Sequence, residues 1–136
     1  MIWLLDTDTI GHLINAAPGS EHIKRRLSGR SPGEIRLSAI SWVEIRYGIM
    51  AGDVAIERQE ALDDFLGLFQ VDDFPVDAAD DYAEIRVALE RKGKKIGSYD
   101  LLIAAHARHI NATLVTGNER EFRRVPGLTV QNWRKP

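Results

Sequence analysis

The chain has 136 residues, with 18 basic and 20 acidic side chains and a formal net charge of −2, so no bulk positive field gathers a polyanion onto it. It contains no cysteine, which excludes disulfide staples and thiolate metal sites. A chain of this length can bury one core unaided, and a single domain spanning residues 1–136 is expected.

Ile2-Trp3-Leu4-Leu5 is a short continuous apolar run, the pattern of a buried parallel strand, and it ends on Asp6-Thr7-Asp8. Asp8 or Thr9 then caps a short helix around Ile10, Leu13 and Ile14 that stops before Pro18-Gly19. A second short helix is expected over Glu21 to Leu27, and a glycine-rich and proline-bearing loop over Ser28 to Glu34. Ile35 to Ser38 reads as the next strand, followed by a helix from about Ser41 that carries Val43, Glu44, Tyr47 and Gly48. Leu62, Phe65, Leu66 and Phe69 recur at 3.6-residue spacing and predict an amphipathic helix over Glu57 to Phe69.

Gln70 to Pro75 is expected to form a short strand, and Asp77 to Arg91 a helix whose acidic first turn suits the macrodipole. Lys92-Gly93-Lys94-Lys95 is its basic exit. Ser98 opens a helix running from Tyr99 to about His109, apolar almost all round and therefore central. Thr113 to Thr116 and Leu128 to Val130 complete the strands. Their alternation with helices predicts an α/β fold, a central parallel sheet of four to five strands covered by helices on both faces. No run approaches the ~18 apolar residues of a membrane span and no basic leader precedes the first strand, so a soluble cytoplasmic protein is expected.

In such sheets ligands sit beyond the carboxyl ends of the strands. Asp6 lies at one such tip, Asp100 in the first turn of the most apolar helix, Glu44 one turn into the helix after the second strand, and Asn118 to Glu121 directly after another strand. Carboxylates gathered together carry a desolvation penalty of several kcal/mol and repel one another, which a cation relieves. Oxygen donors without histidine or cysteine favour Mg²⁺, or Mn²⁺, over zinc.

Four strings in order resemble the PIN-domain ribonucleases, and among them the VapC-type toxins of toxin–antitoxin pairs. Leu4-Leu5-Asp6-Thr7-Asp8 is similar to that family's opening motif, and Ser41 to Gly48 (Ser-Trp-Val-Glu-Ile-Arg-Tyr-Gly) to its Glu-bearing helix. Ile96-Gly97-Ser98-Tyr99-Asp100-Leu101-Leu102-Ile103-Ala104-Ala105-His106-Ala107 is similar to its central helix. Thr116 to Phe122, then Val125-Pro126-Gly127-Leu128 and Asn132-Trp133, match its closing signature. The resemblance covers nearly the whole chain and implies a PIN-like fold.

It also implies a Mg²⁺-dependent endoribonuclease that cleaves RNA, tRNA being one common substrate class, with activated water as the nucleophile, and so inhibits translation. Asp6, Glu44 and Asp100 would bind the metal, Asp6 and Asp100 directly. Asn118 stands where many members have aspartate, and Glu121 restores part of the missing charge. Asp8 and Thr116 would orient the strand tip. A VapB-type antitoxin lying across the acidic cleft and a homodimer are the implied partners, with the apolar faces around Leu62 to Phe69 and Tyr82 to Leu89 available for either contact. Arg46, Lys94, Lys95, Arg120, Arg123 and Arg124 are candidates for tracking the RNA backbone.

Each feature also has a plainer reading. Asp6 to Asp8 is a possible helix cap, Glu44 an exposed helix former, and Asp100 a complement to a helix dipole. The basic clusters read as solvated helix ends, Trp42, Tyr47 and Trp133 as packing residues with Tyr47 also able to reach the cleft, and His106 and His109 share a helical face without a third zinc ligand. An apolar strand ending Asp-x-Asp also opens the haloacid-dehalogenase phosphatases, with Asp6 as covalent nucleophile and Asp8 as general acid. There Gly-Thr or a close variant follows the second aspartate, whereas here Thr9-Ile10 does, and the Asp72-Asp73 pair comes too early. A non-catalytic binding module is the third reading, against which stand the retained Asp6, Glu44 and Asp100.

Overall fold

A computed structural model describes residues 1–52, 59, 60, 63, 64 and 66–136. Among these, β1 (Trp3–Leu5), β2 (Ile35–Ser38), β3 (Gln70–Asp72), β4 (Thr113–Val115) and β5 (Thr129–Gln131) form one sheet in the order β3-β2-β1-β4-β5, with every pairing parallel. The chain builds outward from β1 through β2 to β3, then returns to β1's other side to add β4 and β5. The strand order therefore reverses between β1 and β4, and that is where an open α/β sheet leaves a crevice at its carboxyl end.

Strand alternation divides the core into two layers. Trp3 and Leu5 of β1, Ile35 and Leu37 of β2 and Val115 of β4 face Ile10 and Leu13 of α1 (Thr7–Ile14), Ile23 of α2 (Ser20–Leu27) and Ile45 of α3 (Ala39–Met50). Leu4, Leu114 and Val130 point the other way, onto Ile85 and Leu89 of α4 (Ala78–Arg91) and Leu101, Ile103, Ala104 and Ala107 of α5 (Ser98–His109). Fully burying a side chain such as Leu4 or Leu114 contributes about 1.5–3 kcal/mol, so the three-residue strands are held by the layers more than by their few hydrogen bonds. Trp133 packs on Trp3 with centroids 6.1 Å apart, and the Arg30 guanidinium lies 3.8 Å over the Trp3 ring.

The expected elements form with shifted ends. Asp6, and not Asp8 or Thr9, caps α1: its Oδ1 accepts the Thr9 N–H at 2.8 Å, so the helix follows β1 with Asp6 alone between them. Similarly α3 starts at Ala39 because the Ser38 hydroxyl already accepts the Ile40 N–H. Part of the loop before β2 winds into a 3₁₀ turn over Pro32–Glu34, closed reciprocally by Ser31 and Glu34. The predicted helix over 57–69 falls partly outside the described residues, Leu62 and Phe65 among them; Leu66 is buried and Phe69 packs against the core. At the exit of α4, Gly93 takes φ +66° while the Lys94 N–H reaches back to the Leu89 carbonyl, the closure that requires a left-handed residue.

Candidate active site

The crevice between β1 and β4 is floored by Asp6, 3% exposed. Its N–H donates to the Val115 carbonyl at 3.0 Å, which pins the tip of β1 to β4, and the Thr9 hydroxyl donates to the same carbonyl. Burial pushes the Asp6 carboxyl above the usual carboxylate range, against the opposing pull of hydrogen bonds from Thr116 and Thr9. Thr116 follows β4, and its hydroxyl also accepts the Asn118 N–H.

Asp100 enters from the first turn of α5. Its carboxyl is pushed up to about 6, first by burial and then by the negative charges of Asp6, Glu44, Glu121 and Asp8. Groups from positions 6, 44, 100 and 121 thus share one electrostatic neighbourhood, and the influences that dominate Asp100 include no cation. Glu44 is held from α3 by the Thr7 hydroxyl, which donates to its Oε1 at 2.6 Å. Glu121 is held by Asn118, whose Nδ2 donates to its Oε2 at 2.9 Å, so Asn118 acts on the site as a clamp for a carboxylate.

The helices that carry these acids are themselves tied together. His106 of α5, 1% exposed, shares a 2.8 Å hydrogen bond with the Ser38 hydroxyl that caps α3, and it meets Phe74 edge-on. Burial lowers its pKa, so the neutral ring fits a role in fixing α3 against α5. His109 instead pairs with Asp81, so the two histidines serve separate contacts.

The donor set is all oxygen, but it is not contracted into a cage: among the described residues, no three acidic or imidazole groups lie together as a ready coordination shell. Such an arrangement suits a hard dication that keeps several waters and touches only one or two carboxylates. Asp6, Glu44 and Glu121 are each oriented by a hydrogen bond, from the Thr9 N–H, the Thr7 hydroxyl and the Asn118 amide respectively.

Sequence reasoning missed the cation at the rim. Arg134, just past buried Trp133, donates to Asp8 Oδ2 at 2.5 Å and lies 2.8 Å from His12 Nε2. Its guanidinium is laid across Gly117, where an added Cβ would stand 1.2 Å from Nη2. Asp8 is therefore already engaged and its carboxylate is exposed, which leaves no free general acid of the phosphatase type. The contact spans 126 positions, and only the closing Asn132-Trp133 signal hinted that this segment returns to the site. Of the suggested backbone-tracking cations, Arg46 pairs loosely with Asp63 at 4.0 Å and Arg123 with Glu119, while Lys94, Lys95 and Arg120 are exposed. Of the two readings of Tyr47, packing residue or cleft residue, the structure favours the second: it is 73% exposed in a groove beside Glu44.

The model of the PIN domain matches residues 3–128. Ribonuclease VapC2 of Rickettsia felis is 40% identical, covering 99% of this chain and 100% of that protein. The tRNA(fMet)-specific endonuclease VapC of Salmonella typhimurium is 36% identical, covering 96% and 97%. A crystal structure of VapBC2 from Rickettsia felis bound to a DNA fragment from their promoter matches with a TM-score of 0.85 at 39% identity, covering 98% of this chain and 99% of that one.

Proposed function

The chain belongs to the PIN-domain family, and from that premise we propose that it is a divalent-metal-dependent endoribonuclease, the toxin of a toxin–antitoxin pair. The observation that carries this reading is the Asp100 carboxyl, raised to about 6 by burial and by four other acids gathered at the switch point of the sheet. A site built for stability would pair those charges; here, among the described residues, Asp8 alone has a cationic partner, Arg134, and Asp6, Glu44 and Glu121 have none. Mg²⁺, or Mn²⁺ in its place, would acidify water and neutralise charge growing on the phosphoryl oxygens when bound.

Asp6 and Asp100 would hold the metal, Asp6 fixed by hydrogen bonds to the Val115 carbonyl and from the Thr9 N–H, and Asp100 by the start of α5. Glu44 and Glu121 add negative charge and would accept hydrogen bonds from water at the metal, each oriented by its own donor, Thr7 or Asn118. No side chain need act as a nucleophile. Unpaired RNA is the substrate class, since splayed strands expose the scissile bond to a recessed centre. The named specificity of the Salmonella relative makes tRNA the first substrate to try. The chain's likeness to VapBC supports a VapB-type antitoxin as partner, binding that holds the toxin inactive in the cytoplasm, and a homodimer as the working form.

The test is cleavage of total cellular RNA and of purified tRNA by the chain freed of antitoxin, with Mg²⁺, with EDTA, and after Asp6→Asn. Cutting that needs Mg²⁺ and falls about 1,000-fold in the variant is expected, equivalent to several kcal/mol of lost transition-state stabilisation. Equal cutting by Asp6→Asn would overturn the proposal.

A further inference from the structure

Beside the acidic centre runs a groove of about 520 Å³ lined by Thr7, Val43, Glu44, Tyr47, Gly48 and Tyr99. Two of its lining residues are aromatic and open, Tyr47 at 73% exposure and Tyr99 at 54%, and Val43 in the same lining is 56% exposed. Val43, Glu44 and Tyr47 share neighbouring positions on α3, and Tyr99 precedes Asp100 on α5. The groove is thus continuous with the site, since Thr7 and Glu44 belong to both.

Resting on the ribonuclease reading, we propose that Tyr47 and Tyr99 are substrate-binding residues that stack on an unpaired base of the RNA next to the scissile bond. Among the described residues no cationic side chain lines the groove, and Glu44 repels a phosphate, so the part of a nucleotide that suits it is the neutral base and not the backbone. Its volume falls within the range of about 300–1,000 Å³ in which proteins hold small ligands. Tyrosines offer flat surfaces at little entropic cost, and stacking on them tolerates any base, as an enzyme that meets looped RNA requires. A base held there fixes which phosphate lies over Asp6 and Asp100.

The experiment uses the full chain with Mg²⁺ and a single-stranded oligonucleotide that it cuts. Tyr47→Ala and Tyr99→Ala are each expected to raise KM about tenfold with kcat within about twofold, while Tyr47→Phe and Tyr99→Phe stay near wild type. An abasic nucleotide beside the cut bond should raise the wild-type KM similarly and add nothing further to the alanine variants. Unchanged KM in both alanine variants would overturn stacking and leave the nuclease reading standing. So would a shift in oligomeric state by light scattering in either variant, which would make the groove an interface between copies. Binding of a fluorescein-labelled oligonucleotide in EDTA is read separately: binding lost with the tyrosines, in a chain that fails to cut, upholds this inference and breaks only the nuclease reading.

Discussion

The two ends of α5 treat the same residue type in opposite ways. At its C-terminal end, burial works against ionisation of Asp81, yet Arg108 and His109 outweigh it and hold the carboxyl below the usual range. Arg108 Nε donates to Asp81 at 2.7 Å, and the guanidinium also reaches Glu84 and the Pro126 carbonyl. At its N-terminal end Asp100 is raised to about 6 by burial and by four acids, of which, among the described residues, only Asp8 has a cationic partner. One helix therefore carries a matched cluster that joins α4 to α5 and an unmatched one that opens on solvent. The matched end secures the fold; the unmatched end is where charge has been left for something else to satisfy.

The sharpest way to break this contrast is Asp6→Asn, which is expected to lose about 1,000-fold in RNA cleavage while leaving the melting temperature near or above wild type. Next in size is Arg108→Ala. It strands Asp81 partly buried without its main partner, and should cost about 2 kcal/mol of stability by urea unfolding, with cleavage per folded molecule unchanged. If Arg108→Ala melted like wild type, the matched end would not be structural.

Smaller, and opposite in sign, is Asp100→Asn. A carboxyl whose folded pKa is raised binds its proton more tightly in the folded state, so folding is penalised as pH rises from about 4 through about 6, fully so above that. The variant is expected to gain about 1 kcal/mol at pH 8, after discounting for partial exposure, and a melting temperature about 3 °C higher, with the gain shrinking toward pH 4. Mg²⁺ should raise the wild-type melting temperature and leave that of Asp100→Asn nearly unchanged. Destabilisation by Asp100→Asn at pH 8 would mean that the site acids are not unmatched at all.

Much of this organisation was legible in the sequence. Buried strands announce themselves as short apolar runs, so Asp6 and Asn118 were placed at strand ends, and the apolar girth of α5 put Asp100 beside the core. What stayed hidden was decided by contacts between distant segments. Asp6, Asp8 and Thr9 are all competent caps; Asp6 takes the role because its N–H is drawn to the Val115 carbonyl, which no local pattern encodes. Tyr47 shares the spacing of packing residues, and spacing alone does not say whether the outer face of α3 is covered. The order of strands, and with it the β1–β4 crevice, emerges only from pairing.

The bed that Gly117 makes for Arg134 couples two distant positions through one contact. The glycine is demanded by the arginine's plane and not by its own φ, so the demand should vanish with the arginine. Gly117→Ala alone is expected to destabilise the chain, whereas in an Arg134→Ala background the same change should be nearly neutral. Additive losses in that double-mutant cycle would show the two positions to be independent.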